Sequence, residues 1–322
     1  MEPAITSAET EAKAFKYQIY HELSSGKKSR RYLAENTIDN KIYQLELFVK
    51  DDEQVLPDLS IISHIKHDSI IQIKESVRIS EVRFLNSEVE KACKVMKLEE
   101  GLVIDCVTRC TLLNLLQQLG TLPEVVARSY TKQLLDALEC LHDQQIAHCD
   151  LKLDSLFLDT HYCLKLGGLE ASKDFSKKVM CSERIGTKRH LAPETLLNTE
   201  YDPFAADIFA LGVAVFGLIN GYLPFDSASL EDELYVLIVD EKWEKFWSLH
   251  EEIFPSNTRL GRANLREFFE RLLCPNPERR ATIAEIGNLD WMKIPMIDRE
   301  QVGSWIIEIA KKQKKDFLLS SL

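Results

Sequence analysis

From residue 15 to 50 apolar and polar positions alternate, a period of two that suits strands with one buried face. Gly26 and the Asp39-Asn40 pair interrupt the alternation, which predicts three antiparallel strands. Residues 51–66 suit a helix entered through Asp51-Asp52-Glu53. Ile70-Ile71-Gln72-Ile73 and Leu102-Val103-Ile104 are predicted as further strands. The stretch 78–97 between them is longer than a hairpin needs and is expected to be a surface insertion.

From 111 the period lengthens. Thr121-Leu122-Pro123-Glu124 has the form of a capping box with Pro in the first turn. Ala127, Tyr130, Leu134, Leu138 and Leu141 follow at helical spacing. Residues 205–220 are apolar on all sides, as in a helix buried at the centre of a domain. Strands first and helices later predict an α+β architecture of two lobes.

Composition narrows the function classes. The chain has 322 residues, 45% hydrophobic and 28% charged, an ordinary globular mixture. Its formal charge of −11, from 40 basic and 51 acidic residues, argues against non-specific binding to nucleic acid or anionic lipid. No apolar run is expected to span a bilayer, and Met1-Glu2-Pro3 begins neither a signal peptide nor a myristoylation site. The eight cysteines form no CxxC pair or zinc set, so reduced, mostly buried thiols are expected. These features predict a cytoplasmic location, with a nuclear one as an option. Lys311-Lys312-Gln313-Lys314-Lys315 reads as a solvated helix face or as a nuclear or acidic-partner patch.

A series of motifs carries the chemistry. His148-Cys149-Asp150-Leu151-Lys152-Leu153-Asp154-Ser155 comes first, then Gly168-Leu169-Glu170, Gly186-Thr187 and Ala192-Pro193-Glu194. Asp207-Ile208-Phe209-Ala210-Leu211-Gly212, Gly221-Tyr222-Leu223-Pro224-Phe225 and Asn276-Pro277-Glu278-Arg279-Arg280 follow. In this order and spacing the chain resembles the Ser/Thr protein kinases, with a calmodulin-dependent-type C-lobe. The resemblance covers about residues 16–292, with an N-lobe (antiparallel sheet plus one helix) over 16–107 and a mainly helical C-lobe over 108–292. Residues 1–15 would be a flexible arm and 293–322 a helical tail.

The resemblance implies a role for each matching position. Asp150 aligns with the residue that accepts the substrate hydroxyl proton, and Lys152 with the lysine two residues on. Glu194 would pair with Arg280, and Asp207 would hold the catalytic-loop backbone. Ile73, Ile62, Leu169 and His148 would form the apolar column between lobes. The nucleotide positions depart from the pattern. The Gly-rich loop keeps only Gly26, followed by Lys27 and Lys28. The phosphate-binding lysine is Glu46, and its helix partner is Asp58, so two carboxylates would face each other. Arg31, Gln44 and Phe157 stand in the adenine slot, and Asp105 and Val107 are further positions of the nucleotide site. Ser155 and Gly168 replace the two metal ligands, and Cys149 replaces an arginine that reads activation-segment phosphate.

The small-residue-Leu-Glu triplet at 168–170 is similar to that of Tribbles-type pseudokinases, although no Tribbles tail motif is present. The expectation is therefore a catalytically impaired scaffold or regulator with no cofactor. Its partners would be proteins, such as an active kinase or a ubiquitin-ligase-type effector. Asp150 would then be kept for the hydrogen bonds it makes in its own loop. Two alternatives stand beside it. The first is an active Ser/Thr kinase using ATP and Mg²⁺, with Lys27 or Lys28 supplying the lysine and Glu170 a metal ligand. The second is a different nucleotide chemistry on the same fold.

Overall fold

The computed structural model describes residues 15–25, 29–49, 59–95, 98–104, 110–178, 180–197, 199–253 and 261–313. Two compact units make up the chain: Met1–Val55 with Ile73–Val107, and Leu56–Gln72 with Thr108–Leu322. Residues 56–72, expected with the sheet, thus group with the helical unit.

In the first unit the alternating stretch forms β1 (Tyr17–Ser25), β2 (Ser29–Asn36) and β3 (Ile42–Val49). Asn40 takes φ 56° in the turn between β2 and β3, a conformation its short polar side chain tolerates. The chain then enters the other unit, where α1 (Leu59–Ile62) ends four residues short of the helix expected over 51–66, and returns as β4 (Ile73–Arg78). Next come β5 (Val82–Phe84), α2 (Ser87–Val95) and β6 (Leu98–Ile104). Among the described residues six strands form one sheet in the order β4-β6-β3-β2-β1-β5. Its pairs are antiparallel except β1 with β5, which is parallel and departs from the all-antiparallel expectation.

The stretch 78–97 is not a surface insertion. β5 extends the sheet edge, and Val82 and Cys93 are buried with Tyr17, Tyr32, Tyr43 and Val103. Tyr32 and Cys93 share a hydrogen bond of 3.0 Å. Among the described residues of this stretch, Ile79, Val82, Phe84, Val89 and Cys93 face the core, at irregular spacings that do not register as one period.

The second unit is mainly helical. Short strands β7 (Cys110–Thr111), β8 (Ile146–Ala147), β9 (Leu156–Leu158), β10 (Leu164–Leu166) and β11 (Lys173–Asp174) pair as β10-β9-β7 and β11-β8. The helices are α3 (Leu112–Leu119), α4 (Glu124–Asp143), α5 (Pro203–Asn220), α6 (Glu233–Val239), α7 (Trp243–Ile253), α8 (Ala263–Leu272), α9 (Ile283–Gly287), α10 (Asp290–Lys293) and α11 (Arg299–Lys312). The expected cap at Thr121 is absent: Pro123 occupies the N-cap of α4 without a side-chain bond. A capping box stands instead at Thr111, whose hydroxyl accepts from Asn114 N at the start of α3. Glu124 instead accepts from Trp291 Nε1 at 3.0 Å and from Arg128 and Arg262.

α5 is the hub. Against expectation, its length and composition would suffice for a membrane span, but 83% of that window is buried inside the protein. Phe216 of α5 meets Phe246, Trp247 and His250 of α7 and Phe269 of α8 with ring centroids 5.0–6.5 Å apart. Arg280 closes the far end. It donates to both Glu194 carboxylate oxygens at 2.7 and 3.0 Å, and to the carbonyls of Ala205 and Cys274 at 2.7 and 3.0 Å.

Two predictions follow from this packing. Both members of the Glu194–Arg280 pair are buried, so Arg280→Ala strands a carboxylate and should cost about 3–5 kcal/mol in denaturant unfolding. His250 is 1% exposed, and burial lowers its pKa to about 4. Below pH ~6.5 the unfolded chain then binds a proton that the folded chain refuses, so stability falls from there toward pH 4, by up to roughly 3 kcal/mol. His250→Phe should flatten that part of the acid slope in a pH series of unfolding curves.

Candidate functional site

The site begins with Asp207 on α5. Its carboxylate accepts from the backbone N–H groups of His148 (2.7 Å) and Cys149 (2.9 Å), and lies 3.0 Å from His142 Nε2. These bonds hold the loop 148–155 where it leaves β8. His148 is fully buried, its Nε2 lies 2.9 Å from Gly167 O, and burial lowers its pKa. Cys149 takes φ 65°, which turns the chain so that Asp150 and Lys152 follow on the open side of the loop.

Asp150, Lys152 and Thr187 form a closed triangle. Thr187 Oγ1 donates to Asp150 Oδ1 at 2.7 Å. Lys152 Nζ donates to Thr187 Oγ1 at 2.9 Å and to Asp150 Oδ2. Gly186 allows this approach: its φ is 112°, and a Cβ there would lie 2.6 Å from Cys149 O. Thr187 was visible in the sequence beside Gly186 but had been given no role. His190 lies beside the triangle, and burial lowers its pKa to about 4. The triangle borders a groove of about 920 Å³, lined partly by Leu116, Asp154, Tyr222, Phe225 and Ile253.

The positions aligned with metal ligands sit close together in the same unit. Gly168 is left-handed at φ 73°, ψ 29°. A Cβ on it would stand 2.6 Å from Ser155 Oγ and 3.0 Å from Ser155 Cβ. Ser155 is buried, and its hydroxyl donates to Asp150 O at 3.1 Å. A side chain at 168 would meet Ser155 at once, and glycine offers none, so these two residues do not fit a Mg²⁺ ligand pair. Glu170, two residues on, is exposed. Leu169 and Ile62 are buried in this unit, and Ile73 is buried in the other.

In the sheet unit, Glu46 is 8% exposed and is not left without partners. Ser29 Oγ donates to Glu46 Oε1 at 2.7 Å, and Arg31 Nε lies 3.6 Å from the same oxygen. β2 and β3 set this up, because Arg31 pairs directly with Glu46. Arg31, expected only as bulk in a base slot, is thus also Glu46's counter-ion, a cross-strand relation that needed the register to see. Gln44 is buried on the same strand, and Phe157 is buried on β9 of the other unit. Gly26, Lys27, Lys28, Asp58, Asp105 and Val107 lie outside the described residues.

Gly168→Ala tests the closure at 155–168. The left-handed backbone alone should cost about 1–2 kcal/mol, and Ser155→Ala in the same background should recover the share owed to the contact. A double-mutant cycle in denaturant measures it, and a coupling near zero would show that Ser155 does not fill the space.

Residues 17–292 match the protein kinase domain family. CBL-interacting protein kinase 9 of Oryza sativa subsp. japonica is 32% identical over 244 residues, 75% of this chain and 47% of that protein. CBL-interacting serine/threonine-protein kinase 8 of Arabidopsis thaliana is 29% identical over 305 residues, 90% of this chain and 62% of that protein. The chain thus spans roughly half to three fifths of the length of these relatives. With a sheet unit, a helical unit and the family match over most of its length, the chain belongs to the protein kinase domain family, and its fold is the α+β fold of that family.

Proposed function

We propose that this chain is a catalytically impaired kinase-fold protein that acts by binding other proteins. The observation that carries this reading is the pair at 155 and 168, where a left-handed glycine offers no side chain to a metal and the Ser155 hydroxyl beside it is bound to Asp150 O. Phosphoryl transfer depends almost wholly on positioning and on neutralising phosphate charge. The aligned ligands here are a glycine and a hydroxyl already bound to Asp150 O, and the aligned lysine is Glu46. Relatives named as CBL-interacting kinases support a protein partner for this chain as well.

A second reading, an active Ser/Thr kinase with rewired contacts, is favoured by one specific observation. Asp150, Lys152 and Thr187 keep a hydrogen-bonded geometry suited to a base facing a substrate hydroxyl. Under that reading ATP and Mg²⁺ are bound, with the cation drawn from Lys27 or Lys28.

A thermal-shift series separates the two, because a ligand that binds only the folded state raises the melting temperature. Millimolar Mg-ATP is expected to leave it unchanged, and radiolabelled ATP to give no transfer above background. A rise of several degrees, with transfer that Asp150→Asn abolishes, would establish the second reading.

A further inference from the structure

Residues 67–71 stand just before β4 in the chain, yet their bonds run to the helical unit. Ile71 N donates to Leu166 O at 2.9 Å and Leu166 N donates to Ser69 O at 2.7 Å, so Ile70 forms a parallel bridge with Leu166 of β10. Ile65, Ile70 and Ile71 are buried. The carbonyl of Asp68 takes two cationic donors. Lys165 Nζ of β10 reaches it at 2.8 Å, and Arg299 Nη2, in the first turn of α11, is the other. Arg299 Nη1 also lies 3.5 Å from Asp68 Oδ2, but that carboxylate is 93% exposed and the ion pair adds little. The bonds to the carbonyl are the firmer ones, because a charged donor strengthens a hydrogen bond.

The tail that carries Arg299 is itself fastened along its length. Ser129 Oγ of α4 donates to Ile297 O at 2.8 Å, and Arg128 Nη1 donates to Pro295 O at 3.3 Å. Asp298 caps α11 by accepting from Gln301 N at 2.7 Å, which places Arg299 at the first helical position. Val302, Ile306 and Ala310 follow at helical spacing and are fully buried. Gly303 permits a close approach: a Cβ there would stand 2.4 Å from His161 O. At the far end Gln313 Nε2 donates to Leu119 O at 3.0 Å. The helix is thus seated by apolar burial and by bonds at both ends, and its seating carries Arg299 to Asp68.

We propose that the tail from Pro295 to Gln313 is a strap: seated through α11, it holds residues 67–71 through Arg299, so that the order of that stretch follows the seating of the tail. Residues 67–71 have no helix of their own, and such a stretch is as ordered as the contacts made to it. The same stretch delivers the chain to β4. The coupling is reciprocal, as any coupling free energy must be, so loosening 67–71 also loosens the tail. The strap lies beyond residues 17–292, which match the kinase domain family. It stands whether the chain is a binding protein or an active enzyme, since neither Asp150 nor a nucleotide takes part.

Hydrogen exchange on the full chain tests it. Gly303→Val forces α11 away from His161 O. It should raise exchange at least tenfold at the Ile306 amide and also at the Ile71 and Leu166 amides, which bond residues 67–71 to β10, with α5 unchanged. Arg299→Gln removes the cation and leaves the apolar face of α11 intact. It should speed Ile71 and Leu166 severalfold while Ile306 keeps its protection, a split that a general loss of packing would not give. Ile70→Ala should in turn speed Ile306 severalfold. Should Gly303→Val not fold, Arg299→Gln decides alone. Unchanged protection at Ile71 and Leu166 in a folded Gly303→Val chain would overturn the proposal, as would the same result in Arg299→Gln.

Discussion

The carboxylate of Asp207 is the fixed point of the helical unit. It projects from α5, the most buried helix, and takes the amides of His148 and Cys149 at 2.7 and 2.9 Å. An ionised acceptor with two good donors is among the strongest restraints a buried loop can have. Everything downstream inherits its position. His148 reaches Gly167, the triangle of Asp150, Lys152 and Thr187 closes on the open side, and Cys149 packs against Ala147, Phe175, Cys181 and Tyr201. One buried carboxylate thus fixes two successive amides of the loop.

The positions where the chain departs from the common kinase pattern are not loose ends. Glu46 has Ser29 and Arg31 as partners from the neighbouring strand. Gly168 adopts a backbone that most side chains resist, and Ser155 packs into the space. Cys149, partly buried, packs against the apolar cluster of Ala147, Phe175, Cys181 and Tyr201. In each case the substituted residue is stabilised by a neighbour within its own unit. Single reversions therefore meet an environment already adapted to the new residue, which is the condition for strongly non-additive effects.

The scaffold was legible wherever the signal was a long period or an unmistakable motif. The alternation over 15–50 gave three strands, and the all-round apolarity of 205–220 gave a buried helix. Glu194 and Arg280 were matched across 86 residues through their motifs and meet in the structure. Signals failed where structure rests on sparse or competing cues. The stretch 78–97 buries only a few residues, so its strand and helix looked like an insertion. Thr121 had the spacing of a capping residue, yet Pro123 took the N-cap and Thr111 capped the preceding helix instead.

The sequence by itself determined the class of fold, the order of its elements and the chemistry available at each position. A glycine has no side chain to offer a metal, and a glutamate carries the opposite charge to a lysine, whatever surrounds them. Only the tertiary structure decided what those residues do instead. Arg31 became the counter-ion of Glu46 because strand register puts them opposite each other, and Ser155 closed on Gly168 because a left-handed turn folds the chain against it. Thr187 joined Asp150 and Lys152 because Gly186 lets the backbone pass Cys149 O. Local composition fixes what a side chain can offer. Which neighbour receives it depends on contacts between residues tens of positions apart, and these exist only once the chain has folded.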